Sequence, residues 1–333
     1  MISLLKEKFG FDRFERDKMA FFERQGWKFM PFAQRDPMPD PHLLVPRQVE
    51  EVNKLLDMVR EGDLVSFITS DVGLGKTALC RFLAETLPKE SKNMKVVFLQ
   101  APSVETPEQM LYLILTRLGL EVKERDLTSE FEQFRQWHES YPDLQLVVII
   151  DEFPDLDGKT AEMVRTLADM RGVALILNGQ REPLLRFIEE KIPALMQRRR
   201  MRLDIKPMSL SEVNDLLALR MAWARGADYN NPPIAPFTPE AVERIHNVSG
   251  GIPREALKVA GDAVYTAIKQ KSEVITPQMV RGVAKPVKPP IYRPLIKVKA
   301  MEIPWIWDIE KPEKPEKPKK KRDIFGFLRR RRK

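Results

Sequence analysis

The sequence Leu-Val-Ser-Phe-Ile-Thr-Ser-Asp-Val-Gly-Leu-Gly-Lys-Thr, residues 64–77, is the most informative stretch of the chain. The apolar run from Leu64 to Ile68 predicts a buried strand, and a helical pattern begins at Lys76 after a loop with two glycines. A strand, a glycine loop and Gly-Lys-Thr at a helix start together are typical of a phosphate-binding loop. The backbone N–H groups of such a loop approach phosphate oxygens, and the helix N-terminus adds partial positive charge.

This loop predicts an ATP site with Mg²⁺ as a second cofactor. Lys76 would reach the β and γ phosphates, and the hydroxyl of Thr77 would hold Mg²⁺. The residues expected to bind the phosphates are Asp71, Val72, Gly73, Leu74, Gly75, Lys76, Thr77 and Ala78. The usual pattern has glycine at position 70, where this chain has Ser70. Because serine is also small, we expect the loop to tolerate this departure.

Length and composition bound the class of protein. A chain of 333 residues with 43% hydrophobic residues can bury a sizeable core, and its length favours two domains. No apolar run approaches the length of a membrane span, so no transmembrane segment is predicted. The mixed-charge N-terminus does not have the pattern of a secretory signal. The single cysteine, Cys80, excludes a disulfide framework, favours a cytoplasmic location and is expected to pack in the core.

The net charge of +8 belongs to the C-terminus. Residues 311–333 contain 12 Lys or Arg and 3 acidic residues, a net of +9, so the rest of the chain carries about −1. The body of the protein is therefore not globally basic, and its total charge is a weak argument for binding DNA.

Apolar runs and helical patterns alternate through the middle of the chain. Further strands are predicted at residues 95–100, 144–150, 173–178 and 201–205, with helical patterns between them. Repeated strand–helix units predict an α/β fold, a parallel sheet flanked by helices as in P-loop NTPases. From Pro207 the pattern is wholly helical, which predicts a small all-helical domain.

These patterns divide the chain into five segments. We expect an aromatic-rich N-terminal extension (1–42), an α/β nucleotide-binding domain (43–206), a helical domain (207–285), a proline-rich, partly disordered linker (286–318) and a basic tail (319–333). The aromatic side chains of the extension are expected either to pack on the body or to dock a partner.

A second pair of candidate residues follows the strand at 144–150. Asp151 and Glu152 come directly after this apolar run. Ligands in open α/β sheets bind at the carboxyl ends of the strands, so both carboxylates should lie beside the phosphate loop. Asp151 would join the Mg²⁺ shell, and Glu152 would polarise the attacking water.

Together these motifs resemble the AAA+ ATPases over about residues 45–285. They are most similar to the branch that holds the origin-recognition initiators and the ATPases that regulate transposition and some secretion systems. The resemblance implies that Asn178, in Leu-Ile-Leu-Asn-Gly-Gln, is a first sensor that orients water against the γ-phosphate. It also implies that Arg254, in Gly-Gly-Ile-Pro-Arg, is a second sensor that reaches the γ-phosphate from a helical lid.

The family also places an arginine finger before the last strand, where it completes the site of a neighbouring subunit. In Gln-Arg-Arg-Arg-Met-Arg at 197–202 the candidates are Arg198 and Arg199, and the sequence does not separate them. A finger that acts in trans would make activity depend on a homo-oligomer or ring.

The resemblance implies that the chain binds and hydrolyses Mg-ATP to control oligomeric assembly on DNA or on a DNA-bound partner. Replication, transposition and mobile-element maintenance are the processes that fit. The initiators usually continue into a winged-helix DNA-binding domain, for which residues 286–333 are too short and too rich in proline. The alternative is an ATP-dependent protein scaffold or signalling switch without direct DNA binding.

The basic tail contains a short apolar motif. Ile324, Phe327 and Leu328 have the spacing of peptides that archaeal replication proteins insert into the sliding clamp, with Lys321 in place of the usual glutamine. Anchors at i, i+3 and i+4 form one helical turn that fills a groove. A nonspecific nucleic-acid tail, a membrane tether and no specific role are the other interpretations.

Overall fold

A five-stranded parallel sheet forms the centre of the fold. The computed structural model describes residues 11–33, 40–62 and 65–282. The strands are β1 (Val65–Ser70), β2 (Met94–Gln100), β3 (Gln145–Asp151), β4 (Val173–Gln180) and β5 (Arg199–Asp204). They lie side by side in the order β2-β3-β4-β1-β5, and all neighbours are parallel. The α/β fold predicted from the sequence is confirmed.

Eleven α-helices are described around this sheet and in the segments that precede and follow it. They are α1 (Phe11–Gln25), α2 (Val49–Arg60), α3 (Lys76–Glu90), α4 (Pro107–Arg117), α5 (Leu127–Glu139), α6 (Gly158–Ala168), α7 (Arg181–Lys191), α8 (Pro193–Arg198), α9 (Leu210–Arg225), α10 (Pro239–Ser249) and α11 (Pro253–Gln270). Helices α1 and α8 were not predicted from the sequence pattern.

The strands are buried because helices cover both faces of the sheet. Successive side chains of a strand point to opposite faces, so Phe67 and Ile68 of β1 belong to two different apolar cores. Every residue of β1 is buried, which explains why its sequence lacks the alternation of a half-exposed strand.

The helices that follow β5 pack around a third apolar core. Ser209 caps α9 in a capping box with Glu212, and Thr238 caps α10 by accepting a hydrogen bond from the Ala241 N–H. These caps fix the start of each helix. The bounds of the predicted domains at 43–206 and 207–285 stay predictions.

Aromatic side chains of the N-terminal extension complete this third core. Phe21, Phe22, Trp27 and Phe32 are buried against residues of α9, α10 and α11. The Trp27 ring lies 5.7–6.2 Å from the rings of the other three, in edge-to-face arrangements. Of the two interpretations of the extension, packing on the body therefore holds for these four side chains. The linker at 286–318 and the tail motif lie outside the described residues.

Candidate nucleotide site

A cavity of about 570 Å³ lies at the carboxyl ends of β1, β3 and β4. The phosphate loop and the two carboxylates predicted from the sequence line one part of it. Arg254, at the start of α11, lines it from the helical layer, which is formed by α9, α10 and α11. Apolar side chains form much of the rest: Leu43, Leu44, Val45, Met208, Leu216 and Leu257. A polar region beside an apolar one is the arrangement that a nucleotide needs for its phosphates and its base.

The phosphate loop has the backbone that its sequence requires. Gly73 and Gly75 have φ of 82° and 91°, which disfavour side chains, and Gly75 caps α3 at Lys76. Ser70 is the last residue of β1 and is not among the residues with positive φ. Glycine is therefore not needed at position 70, which explains why serine is accommodated there.

The Lys76 ammonium is hydrogen-bonded to the end of β1 and to the first residue of the phosphate loop. Its Nζ donates hydrogen bonds to the Ser70 carbonyl at 3.1 Å, the Ser70 Oγ at 2.9 Å and the Asp71 carbonyl at 3.0 Å. Burial lowers the pKa of this ammonium, and the negative charge of Asp151 opposes the shift. These three hydrogen bonds therefore fix the position of the Lys76 ammonium beside the phosphate loop.

Asp151 is the buried carboxylate of the site. It ends β3 with 3% of its surface exposed, and it accepts hydrogen bonds from the Thr77 hydroxyl and from Nδ2 of Asn178. Burial raises the pKa of Asp151, and the bond from Thr77 opposes that shift. Thr77 and Asp151, which the sequence places 74 residues apart, are thus brought together as predicted.

Glu152 differs from Asp151 in its exposure. It leaves the strand in a left-handed conformation with φ of 57°, which turns its side chain into the open cavity. Partial desolvation and repulsion from Asp151 raise the pKa of its carboxyl. A carboxylate at this position can accept a proton from a water molecule in the cavity.

Asn178 lies behind these carboxylates rather than in the wall of the cavity. It is fully buried in β4, and its Nδ2 also lies 3.4 Å from the Cys80 sulfur. Cys80 packs in the core, as predicted, and burial raises the pKa of its thiol. The next residue along β4, Gly179, does line the cavity.

The start of α11 touches the phosphate loop directly. The Arg254 backbone N–H donates to the Gly73 carbonyl at 3.4 Å. A Cβ at Gly73 would lie 3.1 Å from Cγ2 of Ile252. The helix that carries the predicted second sensor therefore packs against the loop that is expected to hold the phosphates.

Arg198 and Arg199 do not line this cavity. Arg199 pairs in register with Val65, at the opposite end of β1 from the phosphate loop. The two differ in their contacts, because Arg198 forms an ion pair with Asp169, whereas the Arg199 guanidinium lies 5.9 Å from the centroid of the Phe67 ring. Neither arginine can therefore act on the nucleotide of its own subunit in this arrangement.

Two cationic residues of the cavity were missed by the sequence analysis. Arg47 precedes α2, and Arg220 is a buried residue of α9 with 4% of its surface exposed. Burial lowers the pKa of the Arg47 guanidinium, and the charge of Glu212 opposes that shift. Arg220 follows Leu216 by one helical turn. The position of an arginine on the apolar face of α9 could therefore have identified it as a candidate site residue. Nothing in the sequence distinguishes Arg47 from an ordinary surface arginine.

The residues present fit a magnesium ion. Among the residues that the structure describes, no group of three or more His, Cys, Asp or Glu is placed to hold a metal. Magnesium commonly binds one or two protein oxygens and completes its shell with phosphate and water. The oxygens of Thr77 and Asp151 meet that requirement at the phosphate end of the cavity.

The fold and this site define a P-loop nucleotide-binding protein. Residues 59–187 match the family model described as "AAA domain". This match assigns an AAA domain to the central part of the chain, and the fold of the chain is similar to that of solved origin-recognition proteins. No helix in the described ranges combines the length and the apolar character needed to cross a membrane.

Three known proteins show what the chain is similar to. General secretion pathway protein A of Aeromonas hydrophila is 27% identical over 232 residues, which are 65% of this chain and 39% of that protein. The chain therefore spans about two fifths of the length of this relative. The Aeropyrum pernix ORC2 protein, solved in ADPNP–ADP complexes, has a TM-score of 0.59 at 19% identity over 77% of this chain and 70% of its own. The Aeropyrum pernix ORC1 protein in complex with DNA has a TM-score of 0.55 at 18% identity over 73% and 66%.

Proposed function

We propose that this AAA+ ATPase binds Mg-ATP in the cavity, hydrolyses it, and uses the bound nucleotide to control assembly of an oligomer on DNA or on a DNA-bound partner. The observation that carries the proposal is the convergence of Lys76, Asp151, Glu152 and Arg254 on one cavity. Lys76, Asp151 and Glu152 belong to the sheet layer, which is formed by the sheet and the helices that flank it, whereas Arg254 belongs to the helical layer. A nucleotide there would bind both layers, so its γ-phosphate could bias their arrangement.

The site residues predicted from the sequence have separate roles in this mechanism. The loop N–H groups and Lys76 bind the phosphates, while Thr77 and Asp151 would hold Mg²⁺, which would neutralise charge on the phosphates. Glu152 polarises the attacking water. The sensor role of Asn178 stays a prediction, because this buried side chain does not line the cavity and would act on the water only through Asp151, to which its Nδ2 donates. Arg254 contacts the γ-phosphate from the start of α11.

An arginine from a neighbouring subunit would complete the site. Because Arg198 is bound to Asp169 and to the Ala194 carbonyl within its own chain, Arg199 is the better candidate. A finger supplied in trans increases turnover by about 10³–10⁵-fold in related phosphoryl-transfer enzymes.

Mixing two inactive variants tests this arrangement. Lys76→Ala disables the nucleotide site but keeps Arg199, and Arg199→Ala keeps the site but loses the finger. Each variant alone should have little ATPase activity, and the mixture should regain activity because one subunit completes the site of the other. Arg198→Ala serves as the matched control and should retain most of the wild-type rate. A mixture that stays inactive at every ratio, although the subunits still assemble, would contradict a finger in trans.

The DNA role is supported by the solved ORC1 protein, whose structure is a complex with DNA. We expect duplex DNA to increase the ATPase rate of the full chain at least severalfold, because assembly on DNA brings neighbouring fingers and sites together. The same measurement on a chain that ends at Glu310 separates the body from the basic tail. Stimulation that survives truncation supports DNA binding by the body, and stimulation lost with the tail limits that role to residues 311–333.

The alternative function is a protein scaffold or switch without DNA binding. The match to a secretion protein favours it, since the name of that relative refers to secretion rather than to DNA. Absence of DNA stimulation in both chains would support this alternative. Binding of a sliding clamp through Ile324, Phe327 and Leu328 and the cytoplasmic location stay predictions.

A further inference from the structure

The guanidinium of Arg47 connects two parts of the nucleotide site that are far apart in sequence. Its Nη2 donates to the carbonyl of Leu74 in the phosphate loop. Its Nη1 donates to the carbonyl of Lys206, between β5 and α9, at 3.0 Å. Arg47 is half-buried and lines the cavity.

The contact with Leu74 constrains the loop backbone. Leu74 is 3% exposed and lies between the two glycines with positive φ, the most adaptable positions of the loop. The peptide unit is planar and trans, so fixing the Leu74 carbonyl also fixes the direction of the Gly75 N–H, which points the opposite way. That N–H is one of the donors expected to bind the phosphates. A Cβ on Gly75 would lie 3.3 Å from Nη2 of Arg47, which shows how closely the guanidinium approaches the loop.

The contact with Lys206 belongs to a set of bonds that hold the connection between the sheet and α9. Gln48, next to Arg47, donates to the Asp204 carbonyl at 3.0 Å and accepts from the Lys206 N–H at 2.9 Å. The Met208 N–H donates to the Gly251 carbonyl at 2.7 Å. Arg47 and Gln48 therefore both form hydrogen bonds to the connection between β5 and α9, but only Arg47 also bonds to the phosphate loop.

The chain that leads into Arg47 is part of the helical layer. Leu43 and Val45 are buried in the same apolar core as Trp27 and the helices α9–α11. The position of Arg47 is thus set by the N-terminal segment and by the helical layer together. Movement of either would change the geometry of its bond to Leu74.

We propose that Arg47 is a positioning residue that holds the phosphate loop in its phosphate-binding conformation through the Leu74 carbonyl. The inference rests on the proposed nucleotide binding at this site. It assigns to Arg47 a function in nucleotide affinity, beyond the packing of the segment that carries it. Both ADP and ATP should depend on Arg47 to the same degree, because the loop holds the phosphates that the two nucleotides share.

Two other roles for Arg47 make different predictions. A guanidinium that bound the γ-phosphate directly would affect ATP more than ADP. A residue that contributed only positive charge to the cavity would be replaced by lysine without loss. Lysine carries the charge on a single ammonium, whereas Arg47 bonds to the Leu74 and Lys206 carbonyls through two separate nitrogens in a fixed plane. Substitution by lysine therefore separates geometry from charge.

The test measures dissociation constants of mant-ADP and mant-ATP, by fluorescence titration with Mg²⁺, for the full chain and three variants. Arg47→Met should weaken both nucleotides by about tenfold or more and by equal factors, about 1.4 kcal/mol. Arg47→Lys should remain at least about threefold weaker than the wild type. Gln48→Ala is the matched control, because it loses two bonds to the same connection but none to the loop, and it should stay within about twofold of the wild type.

Several results would overturn the proposal. These are unchanged affinity in Arg47→Met, full recovery in Arg47→Lys, a selective loss of ATP binding, or a loss in Gln48→Ala equal to that in Arg47→Met. Thermal unfolding of each variant checks the fold, and Arg47→Lys decides the question if Arg47→Met fails to fold. A wild-type chain that binds neither nucleotide would refute the proposed function itself, whereas normal wild-type binding with an unaffected Arg47→Met refutes this inference alone.

Discussion

Glu152→Gln should lower the turnover of ATP by about 100-fold or more while it leaves the dissociation constant of ATP within about threefold. The substitution keeps the size and left-handed backbone position of Glu152 but removes the oxygen that accepts the proton of water. Glu152 is exposed in the cavity, unlike Asp151, so the fold does not depend on its charge. Single-turnover ATP hydrolysis and a nucleotide titration on the same preparation measure the two quantities.

The control for this prediction is Asp155→Asn. Asp155 also lines the mouth of the cavity, and its substitution removes the same charge three residues further on. We expect most of the turnover to remain, because no step is assigned to Asp155. Equal losses in the two variants would show that negative charge in the cavity, and not proton acceptance at Glu152, supports hydrolysis.

Lys76→Ala should weaken ATP binding by about 100-fold, or about 2.7 kcal/mol, through the loss of charge-assisted hydrogen bonds to the phosphates. The substitution also leaves the Ser70 carbonyl, the Ser70 hydroxyl and the Asp71 carbonyl without the donor they share. Equilibrium titration with mant-ATP measures the affinity, and circular dichroism checks the fold.

Lys89→Ala is the comparison for the loss of a positive charge. Lys89 is an exposed residue in the last turn of the same helix, α3, far from the phosphate loop along the helix axis. Its removal should leave ATP affinity unchanged within about twofold. If Lys76→Ala bound ATP as tightly as Lys89→Ala does, residues 71–78 would not be the phosphate site.

The sequence was sufficient for the parts of the site that local chemistry determines. Gly73, Gly75 and Lys76 form a recognisable loop, and Asp151 follows an apolar strand whose end must lie beside that loop in a parallel sheet. We also expected the loop to tolerate serine in place of the usual glycine at position 70. The pattern treats that position as part of the turn, whereas in the structure Ser70 still belongs to the strand.

The rest of the site could not be predicted because it depends on contacts between distant parts of the chain. Arg47 donates a hydrogen bond to the Lys206 carbonyl, 159 residues away, and no local sequence pattern predicts such a partner. The same holds for α1, whose aromatic residues are buried only because α9–α11 come to cover them. Arg198 and Arg199 are neighbours of identical type, so only their different contacts with Asp169 and Phe67 distinguish them.

The burial of the N-terminal aromatic residues has a consequence for when this part of the protein can fold during synthesis. Phe14 stacks on Tyr265, and Phe21 and Trp27 share a core with Ile268. These aromatic residues can therefore form their native contacts only after residues about 240 positions later have been synthesised. At ~5–20 residues per second, a ribosome needs roughly 10–50 s to make that distance. During this interval the apolar surface of Phe21, Phe22, Trp27 and Phe32 has no native partner from α9–α11. The apolar core shared by α1 and α9–α11 therefore closes only after α11 has been synthesised.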